Sequence, residues 1–343
     1  MRRPRWIVLG LAAAAPLLLA WGAPGHRLIT RAAIDAAELP AWIRDEAPRI
    51  AEQSNEADRY RGFRLDALRE ENNPEHYIDL ELLPRYGLTL RTLPRSRYAF
   101  IQRMAVAAHR SGDPGRRAIG QDVGARPSFD PEGVGTLPYA IMEHHAKLVS
   151  SMNSARILER LGDPQREHQL RQARENVISH MGHLAHFVGD AAQPLHTTIH
   201  HHGWKGENPN GYTTDPDIHG RVDGGVLREH RLGAETIAAA MPEGPGEIGA
   251  DEVWEAVLAL IERSHGQVER LYELERTGDL GAEPGRAFIA DRLADAASTL
   301  AALYRSAWAA SEPTEDQISG WIRYNSLGAE DRWNAPARAA PSN

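Results

Sequence analysis

The chain has 343 residues, 42% of them hydrophobic and 25% charged, which describes a folded globular protein rather than a disordered one. Its formal charge of −8 argues against broad electrostatic capture of a polyanion, so a nucleic-acid substrate would need a local positive centre. It has no cysteine, which excludes disulfides, a thiolate nucleophile and thiolate metal ligands, so any metal must be held by His, Asp, Glu or backbone atoms.

Residues 1–20 read as a signal peptide. MRRPR is a basic start, and WIVLGLAAAAPLLLA is an apolar run too short to span a bilayer comfortably. The competing reading is an uncleaved anchor. Cleavage after Ala20 makes Trp21 the new N-terminus and removes Arg2, Arg3 and Arg5. The protein is then expected in a periplasm or outside the cell.

HRLITRAAIDAAELP predicts a helix ended by Pro40, and residues 41–54 a second short helix. Residues 55–96, rich in Asn, Pro, Arg and Tyr, read as irregular. Residues 97–111 are helical again, and 111–138 form a long Gly/Pro-rich loop. Long helices are expected over 139–162 and 165–191. The second opens on Asp163-Pro164 and stops near Ala192, because Pro194 cannot continue it.

Residues 197–218 form another loop, and a helix runs from Ile218 to about Met241. Val253, Val257, Leu260, Ile261, Val268 and Leu271 make an apolar stripe; Ile289, Leu293, Ala296, Leu300 and Tyr304 make another. Both fit helices with one buried face. No strand alternation persists. The expected fold is all-α: one mostly helical domain over 21–334 with a cleft and long loops, then a disordered tail over 335–343.

Seven of the sixteen histidines fall between His180 and His202. His186/Asp190 and His219/Asp223 are spaced i, i+4, which puts each pair on one helix face. They bracket His196. Nitrogen and oxygen donors without thiolates suit zinc with an open coordination position. A free α-amine at Trp21, with the carbonyl of the same residue, would chelate a metal, and His26 stands five residues on.

These residues form a specific pattern: Trp21 with His26, then HFVGDAAQPLH from His186 to His196, then HGRVD from His219 to Asp223. In this the chain resembles the superfamily of single-strand-specific zinc nucleases and zinc-dependent phospholipases C, over roughly residues 21–310. The resemblance implies three zinc ions in a cleft of a mostly helical fold. One would sit on Asp58, His76, His186 and Asp190. A second would sit on Trp21, His26 and Asp190, with Asp190 bridging the pair. The third would sit on His196, His219 and Asp223. Asp45 and Glu56 compete with Asp58 for its place.

The resemblance also implies phosphoester hydrolysis by a zinc-activated hydroxide, with Asp58 and Asp190 as the catalytic carboxylates. HYID at His76–Asp79 resembles the HFID of the nucleases, so Tyr77 would stack on a base and Asp79 would hydrogen-bond it. Arg61 matches a basic residue that contacts phosphate. Single-stranded nucleic acid or nucleotides are the expected substrates, because of HYID, Arg61 and the aspartate at 223. Phospholipid is the alternative, and an exported zinc-binding protein without turnover is the third reading. A monomer with no obligate protein partner is expected.

Three departures fall around the pocket. Ala192 stands where the nucleases usually carry His, GENPNG (206–211) replaces a Gly-rich loop, and Val222 replaces Trp. Of the other histidines, His183 is a neighbour one turn before His186, and His144 and His145 have no assigned role. His200, His201 and His202 read as a solvated cluster. His109, His168, His180, His230 and His265 read as surface residues.

Overall fold

The computed structural model describes residues 21–63, 65–111, 133–242, 244 and 246–325. The signal-peptide and tail expectations, and most of the 111–138 loop, lie outside them. The fold is mostly helical, 77%, with no strand among the described residues, in one compact body. Among the described residues two isolated bridges occur, Ile78 with Gly135 and His201 with Gly203. None of the described helices is long and apolar enough to cross a membrane.

Helix α1 spans Gly22–Ala36. The expected single helix over 41–54 is instead two, α2 (Ala41–Asp45) and α3 (Ala47–Gln53). Pro48 explains the break: it lacks an N–H, and its ring would clash with the carbonyl four residues back. Residues 55–96 are not irregular as expected. They form α4 (Glu56–Gly62), α5 (Asp66–Asn72) and tight three-residue-per-turn segments at 73–76, 80–86 and 90–92. Pro74 and Pro84 keep these pieces too short to show a clear 3.6-residue period.

Helix α6 (Arg97–Ser111) ends where expected, and α7 (Leu137–Leu161) starts two residues early, with Pro138 in its first turn. Helix α8 runs Glu167–Ala192, and its preceding turn is capped by Asp163, which accepts from Gln165 N. It stops two residues before Pro194.

The expected continuous helix from 218 to 241 is broken. It comprises α9 (Ile218–Gly220), a wider π-helical stretch at Arg221–Val226, α10 (Leu227–His230) and α11 (Ala234–Ala240). Gly220, Gly224, Gly225 and Gly233 weaken helix propensity here, and Arg231 turns left-handed at φ 48°. The apolar stripe from 253 to 271 belongs to α12 (Val253–His265) and α13 (Val268–Thr277), and the next to α14 (Glu283–Ala310). Helix α15 (Glu315–Tyr324) was not anticipated, although Thr314 and Gln317 form a capping box that signals its start.

Helix α8 is the spine. It packs against α7, α14, α3, α1 and α12. From Met181 to Ala192 every residue is buried, so this half of the helix has no solvent face. Two glycines permit the crowding. A methyl group on Gly182 would lie 2.6 Å from the Gln53 side chain of α3, and one on Gly189 would lie 2.8 Å from His26 Nδ1 of α1. The polar residues His186 and Asp190 are thereby held in the interior, where a charge is costly unless compensated.

Candidate metal centre

His186 donates from Nδ1 to Ser54 O at 2.8 Å, which leaves the Nε2 lone pair facing inward. Nε2 lies 3.0 Å from His76 Nδ1, 3.3 Å from Asp190 Oδ2 and 3.9 Å from Asp58 Oδ1. His76 Nδ1 is 2.9 Å from Asp190 Oδ2 and 4.0 Å from Asp58 Oδ1. Donors about 2.0 Å from a tetrahedral ion stand roughly 3.3 Å apart, and these separations straddle that edge. Asp190 turns its other oxygen the opposite way: Oδ1 is 3.5 Å from His26 Nε2. One carboxylate thus lies between His76 and His186 on one side and His26 on the other. His186 is within reach of both groups rather than of one alone.

A third group lies beyond the helix end. His196 donates Nδ1 to His76 O, and His219 donates Nδ1 to His201 O at 3.1 Å. Both Nε2 atoms are then lone-pair donors, yet they face each other at 3.1 Å. Asp223 Oδ2 joins them, 3.0 Å from His219 Nε2. Two nitrogen lone pairs at that separation repel unless a cation or a proton sits between them. Three buried His/Asp groups that could hold metal ions are therefore present: His26, His186 and Asp190; Asp58, His76 and His186; His196, His219 and Asp223.

The electrostatics agree. Both oxygens of Asp58, Oδ1 of Asp190 and Oδ2 of Asp223 are buried without a hydrogen-bond donor. Burial, with Asp190 and Asp223 nearby, pushes the Asp58 carboxyl up to about 6 against the opposing pull of His186. Burial opposes protonation of His186, but Asp190 and Asp58 outweigh it and lift the imidazole to about 9. Burial holds His76 and His196 well below the usual imidazole range. A cation at each group would supply the charge that these carboxylates and neutral imidazoles lack, so the residues fit bound metal.

The structure brings Asp58, not its rivals, to this cluster. Glu56 pairs with Arg59 at 2.8 Å, and Asp45 is exposed. Arg61 reaches Asp58 Oδ1 at 3.9 Å. The Trp21 indole is fully buried and donates to Gly189 O at 2.8 Å, which ties the start of α1 to the residue before Asp190. Beside it, a methyl group on Gly22 would stand 3.1 Å from Asp223 O. Tyr77 is half-buried, with Gly135 against its ring. Asp79 is buried, 3.8 Å from His201 Nδ1, and burial with Glu81 beside it pushes its carboxyl up to about 8.

Some histidine expectations need correction. His200, His201 and His202 are half-buried rather than a solvated cluster. His200 stacks on Trp204 at 3.9 Å, His201 donates to Thr198 O, and the His202 ring lies 5.5 Å from that of His219. The aromatic group Trp204, Tyr212 and Tyr272 holds their loop down. His109 and His168 are exposed as expected, but His180, His230 and His265 are half-buried. His230 and His265 bond the Leu280 and Thr197 carbonyls. His183 stacks on His144 at 4.9 Å and bonds Ser179 O; it supports the fold beside the centre.

Gln193, which lies inside the HFVGDAAQPLH motif, is a site residue to which the sequence assigned no role. Its Oε1 accepts from Leu195 N at 2.6 Å, and its Nε2 donates to Asp223 Oδ1 at 2.7 Å. It shapes the corner after α8 and aims the Asp223 carboxylate. The Gln-Pro pair was the visible signal; the partner thirty residues on was not.

Gly189→Ala tests the packing directly. The added methyl must displace the His26 ring, so the variant should retain about one metal ion fewer per chain and lose roughly 1–3 kcal/mol of stability. Metal counting by mass spectrometry on the folded variant checks this; unchanged content would show that His26 is not a ligand.

Scans against protein-family models, curated proteins and solved structures returned no match to the chain.

Proposed function

We propose that the chain is a three-zinc phosphodiesterase acting on single-stranded nucleic acid or 3′-nucleotides. The observation that carries this is the junction at the end of α8. Asp190 there spans two donor groups, and His196, past the helix break, faces His219 and Asp223 in a third. Divalent ions so placed would lower the pKa of bound water toward 7 and neutralise charge developing on a phosphoester.

The chain's own residues supply the rest. Asp58 carries oxygens without donors, suited to orienting water as well as holding metal. Arg61, beside it, presents a guanidinium for a phosphate oxygen. Tyr77 offers a half-buried ring to a base. Trp21 contributes to the centre through its main-chain amine once residues 1–20 are removed. The surrounding helices keep the donors dry, which strengthens every electrostatic contact with a bound anion.

A phospholipase C is the second reading. Phe63, 66% exposed, and Leu65, 59% exposed, follow directly on α4, which bears Asp58 and Arg61. An apolar tip there suits a lipid surface.

The deciding experiment offers the zinc-loaded chain bis-p-nitrophenyl phosphate, single-stranded DNA, RNA, 3′-AMP and phosphatidylcholine in parallel. Hydrolysis of the chromogenic diester and of nucleic acid is expected. Cleavage of lipid alone would transfer the assignment to phospholipase C. Tight zinc without any hydrolysis would leave a binding protein. Sequencing of the exported chain should start at Trp21, and any other start removes the amine from the site.

A further inference from the structure

Away from the metal centre, α6 and the 80–86 segment border an open groove of about 610 Å³. Among the described residues its lining includes Arg85, Arg103 and Arg110, and no acidic residue. All three arginines are exposed, and no described carboxylate pairs with them. This is an unusual local excess in a chain of charge −8.

Two features of the chain build the groove. Arg103, Val106, Ala107 and Arg110 follow i, i+3, i+4, i+7 spacing, so they share one face of α6. Opposite them, the 80–86 segment ends at Gly87, whose φ of +66° turns the chain away and leaves Arg85 at the rim. The same segment starts immediately after Asp79, and Leu80 N donates to Thr197 O, next to His196. At about 2 Å per residue, the groove begins roughly 12 Å from Asp79.

We propose that this groove holds the phosphate backbone of a single nucleic-acid strand as it leaves the metal centre. The inference rests on the nucleic-acid reading above. The spacing of charge selects the ligand. Arg103 and Arg110 stand about 10 Å apart along the helix, too far for one phosphate to bridge but suited to successive phosphates of a strand. The arginines line a concavity rather than a protruding apolar patch, which disfavours a membrane surface as the occupant. Arginine also presents a planar fork to phosphate oxygens.

The test uses zinc-loaded protein and fluorescent oligothymidylates with phosphorothioate linkages, which resist cleavage. Binding of a twelve-residue oligomer and of a dinucleotide is followed by anisotropy over a salt series. The triple variant Arg85→Gln/Arg103→Gln/Arg110→Gln should bind the longer oligomer at least about tenfold more weakly and lower its log–log salt slope by about 2. The shorter oligomer should bind within about twofold of wild type, because it cannot reach from the centre to the groove. Val106→Glu, which places a negative charge on the same face, should act in the same direction without touching the arginines.

An unchanged affinity and slope for the longer oligomer would overturn the proposal. So would equal losses for both lengths, or a loss confined to vesicles of phosphatidylserine. Hydrolysis of bis-p-nitrophenyl phosphate is measured on the same samples and should not change. If wild type binds the long oligomer through the groove but hydrolyses nothing, the catalytic reading fails and the groove stands.

Discussion

Asp190→Asn should reduce phosphodiester hydrolysis by at least about a thousandfold. The residue is fully buried, and its two oxygens face different donor groups: Oδ2 toward His76 and His186, Oδ1 toward His26. An amide of the same shape offers one acceptor and one donor, so it can serve one group but not both. It also removes a negative charge that two adjacent cations need. The loss should appear in kcat, with zinc content below that of wild type. Asp190→Asn relieves a buried carboxyl that burial raises but also takes a partner from the buried His186 imidazolium, so folding of the variant is checked by its thermal melt. A folded variant with reduced zinc and almost no turnover is the expected result. Near-normal hydrolysis of bis-p-nitrophenyl phosphate would sink the bridging role.

The second large effect is acid lability linked to metal. Burial holds His144 at about 2, and His145, His180 and His201 at about 4, while His76 and His196 lie well below the usual range. Unfolded, each would titrate near 6.5. A base whose folded pKa is depressed binds its proton only on unfolding, so its stabilising effect is lost as pH falls below 6.5. Asp58, Asp79 and Asp190 are raised and work in the opposite sense, losing stability as pH rises through their folded values. His186, raised to about 9, is protonated in both states below pH 6.5 and so adds nothing there, and the depressed imidazoles outnumber the raised carboxylates, so stability should fall as pH drops below 6.5.

Metal release has the same sign, because a ligating imidazole must be neutral. Thermal melts from pH 7.5 to 4.5 should therefore show Tm falling steeply below pH 6.5. At pH 7, zinc against chelator should shift Tm by on the order of 10–20 °C, since three sites at saturating zinc contribute about 4 kcal/mol each. A flat Tm between pH 7 and 5, or one indifferent to chelator, would contradict both the neutral buried histidines and the metal sites.

The long helices were legible because their signals are strong and repeat. The apolar stripes of α12 and α14 persist over several turns, and Pro194 gives α8 an unambiguous end. The short pieces were not legible. Between Asn55 and Ser96 no helical segment exceeds seven residues, too few turns for a period to rise above composition. The stretch after Ile218 misled for another reason. Its apolar pattern continues, but glycines and the left-handed Arg231 break the backbone and widen it into a π-helical stretch at Asp223.

By itself, the sequence determined what depends on neighbours a few residues apart. The i, i+4 pairs His186/Asp190 and His219/Asp223, the helix stop before Pro194 and the exclusion of thiolate chemistry all follow from local geometry and composition. Only the tertiary structure decided which distant partners complete the groups. It brought Asp58 and His76 to His186, gave His26 the second oxygen of Asp190, tied Gln193 to Asp223 and folded His202 against His219 of the third group. Those meetings span up to more than a hundred residues. They depend on how closely helices approach, which Gly182 and Gly189 allow by omitting a side chain where α3 and α1 cross α8. Helical periodicity carries no record of that distance, because it specifies which face is buried and not what lies against it.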